Sequence, residues 1–385
     1  MYLFERVFAL GVYVTILFAI CYLIAKNKSH KRCSKLVTLY IVLLAIMGYS
    51  FVPHEGADLT RMLLRMHLYA SETWDQSFTR MIKTATPGAV LYLRLVGLLH
   101  NDSLLPALSA VITFSFCFGI IKRTLKQEDI DVSCIAVILF VFMSRGLLLQ
   151  IISNIRTLMA LSIIAWCIYQ EFYRKVTIIS LVPFYLTAAS LHAMGQALLV
   201  FRLFYILVES RKSILQKVLS IALFVFFSIL ILRLGGKYLI LLYQHSENYA
   251  SYYHAGIGYF YIWEGVLCVC SNMIVLYLYY LFSKVYKRGS DLKDSFSLAT
   301  YKYSKFIGLL VLVDFAAALV EFNFFQRLSW FITILSIPFG IYVLRELKKN
   351  GYGSITIKNL YMLSGVMLFI ACARGDLCSL KFFIL

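Results

Sequence analysis

The sequence predicts an all-α, polytopic integral membrane protein, and three observations carry that prediction. Of 385 residues, 61% are hydrophobic and only 15% charged, with a mean hydropathy of +0.80. Apolar runs of membrane-crossing length recur along the whole chain. The cations between those runs gather in alternate connections. A soluble protein of this length would divide into domains with polar surfaces, whereas no linker rich in Pro, Gly or Ser separates the runs here. A single transmembrane domain over residues 1–385 is the expected organisation.

Runs able to cross about 30 Å of hydrocarbon, roughly 17 to 25 residues each, lie at approximately 7–25, 36–53, 103–122, 132–149, 151–170, 176–191, 192–209, 215–234, 258–283, 305–321, 327–344 and 356–372. The start MYLFER lacks the basic region of a signal peptide, and the basic cluster KNKSHKR follows the first run. The first span is therefore expected to be a retained anchor with its N-terminus outside. Threading twelve spans from there places the connections 26–35, 122–131, 171–175, 210–217, 284–305 and 345–358 in the cytoplasm and both termini outside. Those connections hold 23 of the 37 Lys and Arg residues. The net charge of +18 is then mainly a topogenic signal and an attraction to membrane lipids, and nucleic acid is not needed to explain it.

The other fourteen cations differ in kind. Of the 23 inner cations 17 are lysine, whereas eleven of these fourteen are arginine, among them Arg61, Arg94, Arg145, Arg156, Arg202, Arg233 and Arg327. A guanidinium fork grips a carboxylate or phosphate through two parallel hydrogen bonds, a geometry that an ammonium lacks. An outward-facing, arginine-lined cavity for an anionic substrate is the expectation. The plainer reading is snorkelling or pairing with Asp and Glu, and it is preferred for Arg6, Arg80 and Arg374.

Within the fifth span, SNIRTLMALSIIAW places Arg156 about six residues beyond Gln150, or roughly 9 Å deep at 1.5 Å per residue. Gln150, Ser153, Asn154 and Thr157 follow helical spacing, so one polar stripe with Arg156 at its edge is expected to face a wet cavity. Hydrogen bonding between helices is the competing role for the small polar residues. LHAMGQ then sets His192 at the start of the seventh span with Gln196 one turn below, a candidate base beside Arg156. FFQRLSWF presents Arg327 at the mouth of the eleventh span, with Glu321 and Asp314 as its possible ion-pair partners.

Two outer loops are long enough to fold over a substrate. The first, 54–101, carries Asp58, Arg61 and Arg65 at helical spacing, then an apolar run too short to cross, expected near 87–100 to re-enter or lie in the interface and to carry Arg94 inward. The second, 235–257, belongs to a stretch with seven tyrosines between Tyr238 and Tyr261, which suit sugar rings or an interfacial belt. Nine cysteines are scattered without a CxxC pair or a histidine at ligand spacing, so no metal or other cofactor is expected.

These features together resemble the EpsG family within the Wzy-type polysaccharide polymerases. The resemblance rests on the Asp58 region, a PGxxxY-like segment at Pro87 to Tyr92, and Asn154-x-Arg156-x-x-x-Ala160 opening a span. It continues with the basic turn FYRK, His192 after an apolar hairpin, and Arg327 ahead of Trp330, Phe331 and Pro338. It extends from about residue 40 to 345, with departures at Leu59, where a tyrosine is usual, and at Ala193, where serine is frequent. Such a resemblance implies a metal-independent glycosyltransferase of the outer leaflet of a bacterial plasma membrane. It would join oligosaccharide repeat units held on polyprenyl pyrophosphate into an O-antigen, capsule or exopolysaccharide, with a chain-length regulator protein as a candidate partner. Arg156, Arg327 and His192 would form the catalytic group. Arg94, Arg233, Arg145, Arg61, Asp58, Asn154 and Gln196 would bind substrate. A flippase for the same lipid-linked sugar, a ligase or single-step glycosyltransferase, and an O-acyltransferase are the alternatives.

Overall fold

The computed structural model describes residues 2–27, 29–52, 58–126, 130–209, 258–288, 295–319 and 321–373. Among them fifteen helices form, in order α1 (Tyr2–Lys26), α2 (His30–Tyr49), α3 (Asp58–Ser71), α4 (Trp74–Lys83), α5 (Pro87–Gly97), α6 (Leu104–Thr124), α7 (Val132–Ser144), α8 (Leu147–Ser153), α9 (Ile155–Arg174), α10 (Ile178–Leu191), α11 (Ala193–Glu209), α12 (Gly258–Arg288), α13 (Ser295–Ala318), α14 (Phe322–Lys349) and α15 (Gly353–Ala373). Six of these, α1, α2, α6, α12, α14 and α15, contain stretches long and apolar enough to cross a membrane. The protein is a polytopic all-α membrane protein. The expected span 215–234 and the tyrosine-bearing loop 235–257 lie outside the described residues.

Helix α14 is the axis of the bundle. Between Arg327 and Arg345 it has no charged residue, and the small hydroxyls of Ser329, Thr333 and Ser336 are the polar breaks in an otherwise apolar surface, a composition that suits a helix covered by protein on every face. From Leu328 to Arg345 each residue is buried, and α14 packs against α6, α7, α9, α12, α13 and α15.

The helices share two ends of different chemistry. At one end, His30 Nε2–H donates to Ile130 O at 2.9 Å, Lys348 pairs with Asp131 and donates to Ser133 Oγ at 2.6 Å, and Arg123 donates to Gln170 Oε1 at 2.6 Å. These contacts gather the α1–α2, α6–α7 and α14–α15 connections into one basic end. At the opposite end, Asn101 Nδ2 donates to the Tyr49 hydroxyl at 3.1 Å, and Gln196 Nε2 donates to Ala85 O at 2.7 Å.

The chain departs from the expected spans between Ser144 and Ile155. The run 132–149 ends as a helix at Ser144, Gly146 turns the chain with φ 71°, and α8 lasts seven residues before breaking at Asn154 (φ −116°, ψ 47°). Glycine takes the left-handed conformation without a Cβ penalty, and asparagine tolerates an irregular backbone between helices. The consequence is a correction: no continuous helix carries Gln150, Asn154 and Thr157 as one stripe. Gln150 belongs to α8, Thr157 to α9, and both are buried.

Within the expected loop 54–101, the described residues from Asp58 onward fold into three helices. A capping box starts α4: the Thr73 hydroxyl oxygen accepts from the Gln76 backbone N–H, and the Gln76 side-chain oxygen accepts from the Thr73 backbone N–H. Helix α5 has eleven residues, about 16 Å at 1.5 Å per residue, too short to cross.

Candidate functional site

Three helices begin close together at the end opposite the basic one, and each brings one candidate residue. Arg156 is the second residue of α9, which has no side-chain cap at its N-terminus. Arg327 lies on the second turn of α14, whose start is capped by Glu321 accepting from the backbone N–H groups of Asn323 at 3.1 Å and Phe324 at 2.6 Å. His192 links α10 to α11 in extended conformation, and its Nδ1 accepts from the N–H of Met194 at 3.0 Å. The α10–α11 reversal is tight because Gly195 comes against Ala188 O, where a Cβ would stand 2.4 Å away.

These residues act on one another electrostatically. Arg327 and Arg156 are the charges acting on His192, and Arg156 in turn is within range of Arg65, Tyr69, Asp58 and Arg327. Arg156, Arg327 and His192 are half-buried, and Arg65 on α3 is exposed. None of Arg65, Arg156 and Arg327 forms an ion pair among the described residues. Helix N-termini carry about half a positive charge each. Their convergence beside two half-buried arginines makes this end of the bundle favourable to an anion.

The pairing of Arg327 with Glu321 or Asp314 does not occur. The Glu321 carboxylate is occupied by the first turn of α14, and Asp314 accepts from Asn272 Nδ2 at 2.7 Å. Asn154 keeps a position beside Arg156, as the residue at which α8 gives way to α9.

The remaining expected binding residues are engaged elsewhere. Arg94 is buried, and its Nη1 donates to Tyr69 O at 2.6 Å, Glu72 O at 2.8 Å and Ser77 Oγ at 2.6 Å, with its guanidinium 4.2 Å from the Trp74 ring. It clamps α3 and α4 to α5, because a desolvated guanidinium requires acceptors and these backbone carbonyls are the nearest. Arg145 is buried between α7, α12 and α14, donating to Ser271 Oγ at 2.7 Å, Ser329 Oγ at 3.2 Å and Glu264 Oε1 at 3.1 Å. Both guanidinium groups are thus held by protein acceptors among the described residues. Arg61 pairs with Asp58 one turn away on an exposed face of α3. Gln196 spends its amide hydrogens on Ala85 O and Ala189 O, bracing the approach to α5 against the His192 turn. Arg233 lies outside the described residues.

Arg65 and Tyr69 join the site without having been singled out for it. Their signal was the spacing Arg61, Arg65, Tyr69, which repeats every four residues on α3. A buried pair, Arg202 with Glu171 at 2.5 Å, was also missed, since 31 residues separate its members. Among the described residues no three His, Cys, Asp or Glu side chains are grouped as metal ligands would be.

The family model described as the EpsG family matches residues 67–379, which include Arg156, His192 and Arg327. No curated protein and no solved structure matches the chain. With well over half of its length covered by that match, the chain belongs to the EpsG family.

Proposed function

We propose that this membrane protein of polysaccharide synthesis is the polymerase itself, joining oligosaccharide units carried on polyprenyl pyrophosphate. The observation that supports this reading most directly is the gathering of Arg156 and Arg327, without ion-pair partners among the described residues, at neighbouring helix N-termini beside His192. Pyrophosphate is a dense anion with the geometry a guanidinium fork matches, and helix N-termini favour the same charge.

The chemistry follows from where charge develops. A hydroxyl of the acceptor unit attacks the anomeric carbon of the donor chain, the bond from that carbon to the pyrophosphate oxygen breaks, and polyprenyl pyrophosphate leaves with the electron pair. Arg156 and Arg327 would stabilise that leaving charge, with Arg65 at the rim. The hydroxyl proton passes to the leaving group or to water. His192 takes a role different from the base expected of it. With Nδ1 accepting from Met194 N–H, a neutral imidazole carries its hydrogen on Nε2 and donates to a phosphate or sugar oxygen.

By the positive-inside rule the basic end of the bundle faces the cytoplasm, so the site would open to the outer leaflet of a bacterial plasma membrane. The test is reconstitution of the purified protein in liposomes with a polyprenyl-pyrophosphate repeat unit, with products resolved on a gel. A ladder from wild type that Arg156→Ala and Arg327→Ala abolish is the expected result. Transfer of labelled lipid-linked sugar between leaflets without a ladder would replace polymerase by flippase. A single transfer without elongation would indicate a ligase.

A further inference from the structure

Helix α4 carries an apolar arc that the rest of the described protein leaves uncovered. At about 100° per residue, Ser77, Met81, Trp74, Phe78 and Ile82 fall within one arc of about 140°, and Asp75, Gln76, Thr79, Arg80 and Lys83 fill the remainder. Only Ser77, at one edge, is buried. Trp74 is 55% exposed, Phe78 62% and Ile82 70%. The helix is fixed from the Ser77 edge and its start: Arg94 binds Ser77 Oγ, Arg80 pairs with Glu72, and Thr73 caps the first turn. With the Trp74 ring also 4.2 Å from the Arg94 guanidinium, these contacts hold the helix from one side and leave Phe78 and Ile82 exposed.

Lipid is the occupant this face fits. The exposed residues Leu39, Val42, Ile46 and Tyr49 of α2 follow one another at three- and four-residue steps along a helix of membrane-crossing length, so they trace the lipid-facing surface of the bundle. That stripe ends at Tyr49, whose hydroxyl accepts from Asn101 beyond α5, and α5, which packs against α4, exposes Leu91 and Leu95. On the polar arc, Arg80 is paired with Glu72 and Lys83 stands beside it in the last turn, leaving a charged face opposite the apolar one, the amphipathic pattern that suits an interface. We propose that α4 is an interfacial helix lying along the leaflet at the His192 end, with Trp74, Phe78 and Ile82 inserted at the boundary of headgroups and acyl chains.

The placement has a mechanical consequence. Arg94 joins α4 to α5, Gln196 holds Ala85 just ahead of α5, and Gly88 lies so close to Ser190 that a Cβ would stand 2.2 Å from its hydroxyl oxygen. The turn bearing His192 is thus braced against a helix whose depth is set by the membrane surface. This inference goes beyond the polymerase reading and holds whichever reaction the site performs.

The test uses the full-length protein in nanodiscs containing phosphatidylglycerol and phosphatidylcholine, the latter brominated near the headgroup or near the chain end. Emission lost on Trp74→Phe belongs to Trp74. That component should be quenched more by the shallow bromines than by the deep ones, and should be protected from aqueous iodide. I82W provides a second reading that does not depend on the first variant, since its added emission should behave alike. Quenching by iodide without quenching by bromine would show a water-exposed arc. Protection from both would show a second copy or another protein on this face. Either result overturns the proposal.

Discussion

Arg145 Nη2 and Glu264 Oε1 meet at 3.1 Å with each side chain about 1% exposed, linking the end of α7 to α12. The same guanidinium reaches Ser329 on α14, and Trp330 Nε1–H donates to the same Glu264 oxygen at 3.2 Å. Ser329 and Trp330 follow Arg327 by two and three residues, so this network sets the rotation of α14 that directs Arg327. Removing one member of a buried ion pair leaves an uncompensated charge, at a cost of about 3–5 kcal/mol. Arg145→Ala and Glu264→Ala should each lower the unfolding midpoint in detergent strongly. The pair Arg145→Leu with Glu264→Leu should recover part of that loss, because neither charge is then stranded. A double variant no more stable than either single one would show that the pair is not coupled.

The α3–α4 junction should respond to acid. The Arg80 fork holds the Glu72 carboxyl below its ordinary value, against a partial burial that raises it. A carboxylate with a depressed folded pKa stabilises at pH above its unfolded value, about 4.3, and the contribution disappears as pH falls through the lower folded value. Because Arg80 is 42% exposed, solvent screening keeps the contribution to about 1 kcal/mol or less. Trp74 emission in nanodiscs should therefore be constant from neutrality to about pH 4.5 and shift below it. Glu72→Gln should remove that transition. An unchanged acid transition in Glu72→Gln would assign it to another group.

If the cation cluster binds pyrophosphate, its arginines should differ from lysine in effect. A charge-assisted hydrogen bond contributes about 1.5–3 kcal/mol, so Arg156→Ala should slow polymerisation about 10- to 100-fold or more. Arg156→Lys keeps the charge and loses the fork, and should retain part of the rate with a raised KM for the lipid-linked donor. Arg61→Ala should change little, because Arg61 is engaged with Asp58 on an exposed face. Equal losses in Arg61→Ala and Arg156→Ala would mean that α3 contributes its outer face to the site.

What could be read in advance followed from local signals. The membrane-crossing character of α14 was legible in the apolar run 327–344, and the places of His192 and Arg327 in their positions at the mouths of apolar runs; the burial of α14 on every side was not. The break at Asn154 was not, because LLLQIIS is as apolar as a span and hides the turn on either side. Arginine depth was legible but arginine partners were not. Arg145 meets Glu264 across 119 residues, and Arg94 is satisfied mainly by backbone carbonyls, which no side-chain pattern reveals. The distinction between an arginine that grips a substrate and one that clamps helices rests on those long-range acceptors.

The tautomer of His192 separates a donor from a base. Its Nδ1 is occupied by the Met194 N–H, so in the neutral state the outward nitrogen, Nε2, bears hydrogen. A donor on the leaving pyrophosphate is useful only in that state or the cationic one, whereas a base needs Nε2 bare. Glutamine can place an amide N–H near the Nε2 position, and asparagine can place an acceptor near Nδ1, keeping the bond to Met194 without the outward donor. His192→Gln should therefore retain activity within about 10-fold of wild type, and His192→Asn should fold normally yet lose about 100-fold, the scale of a single oxyanion donor. If both variants were equally inactive, and wild-type rate fell in acid as an imidazole became protonated, His192 would be acting as the base instead.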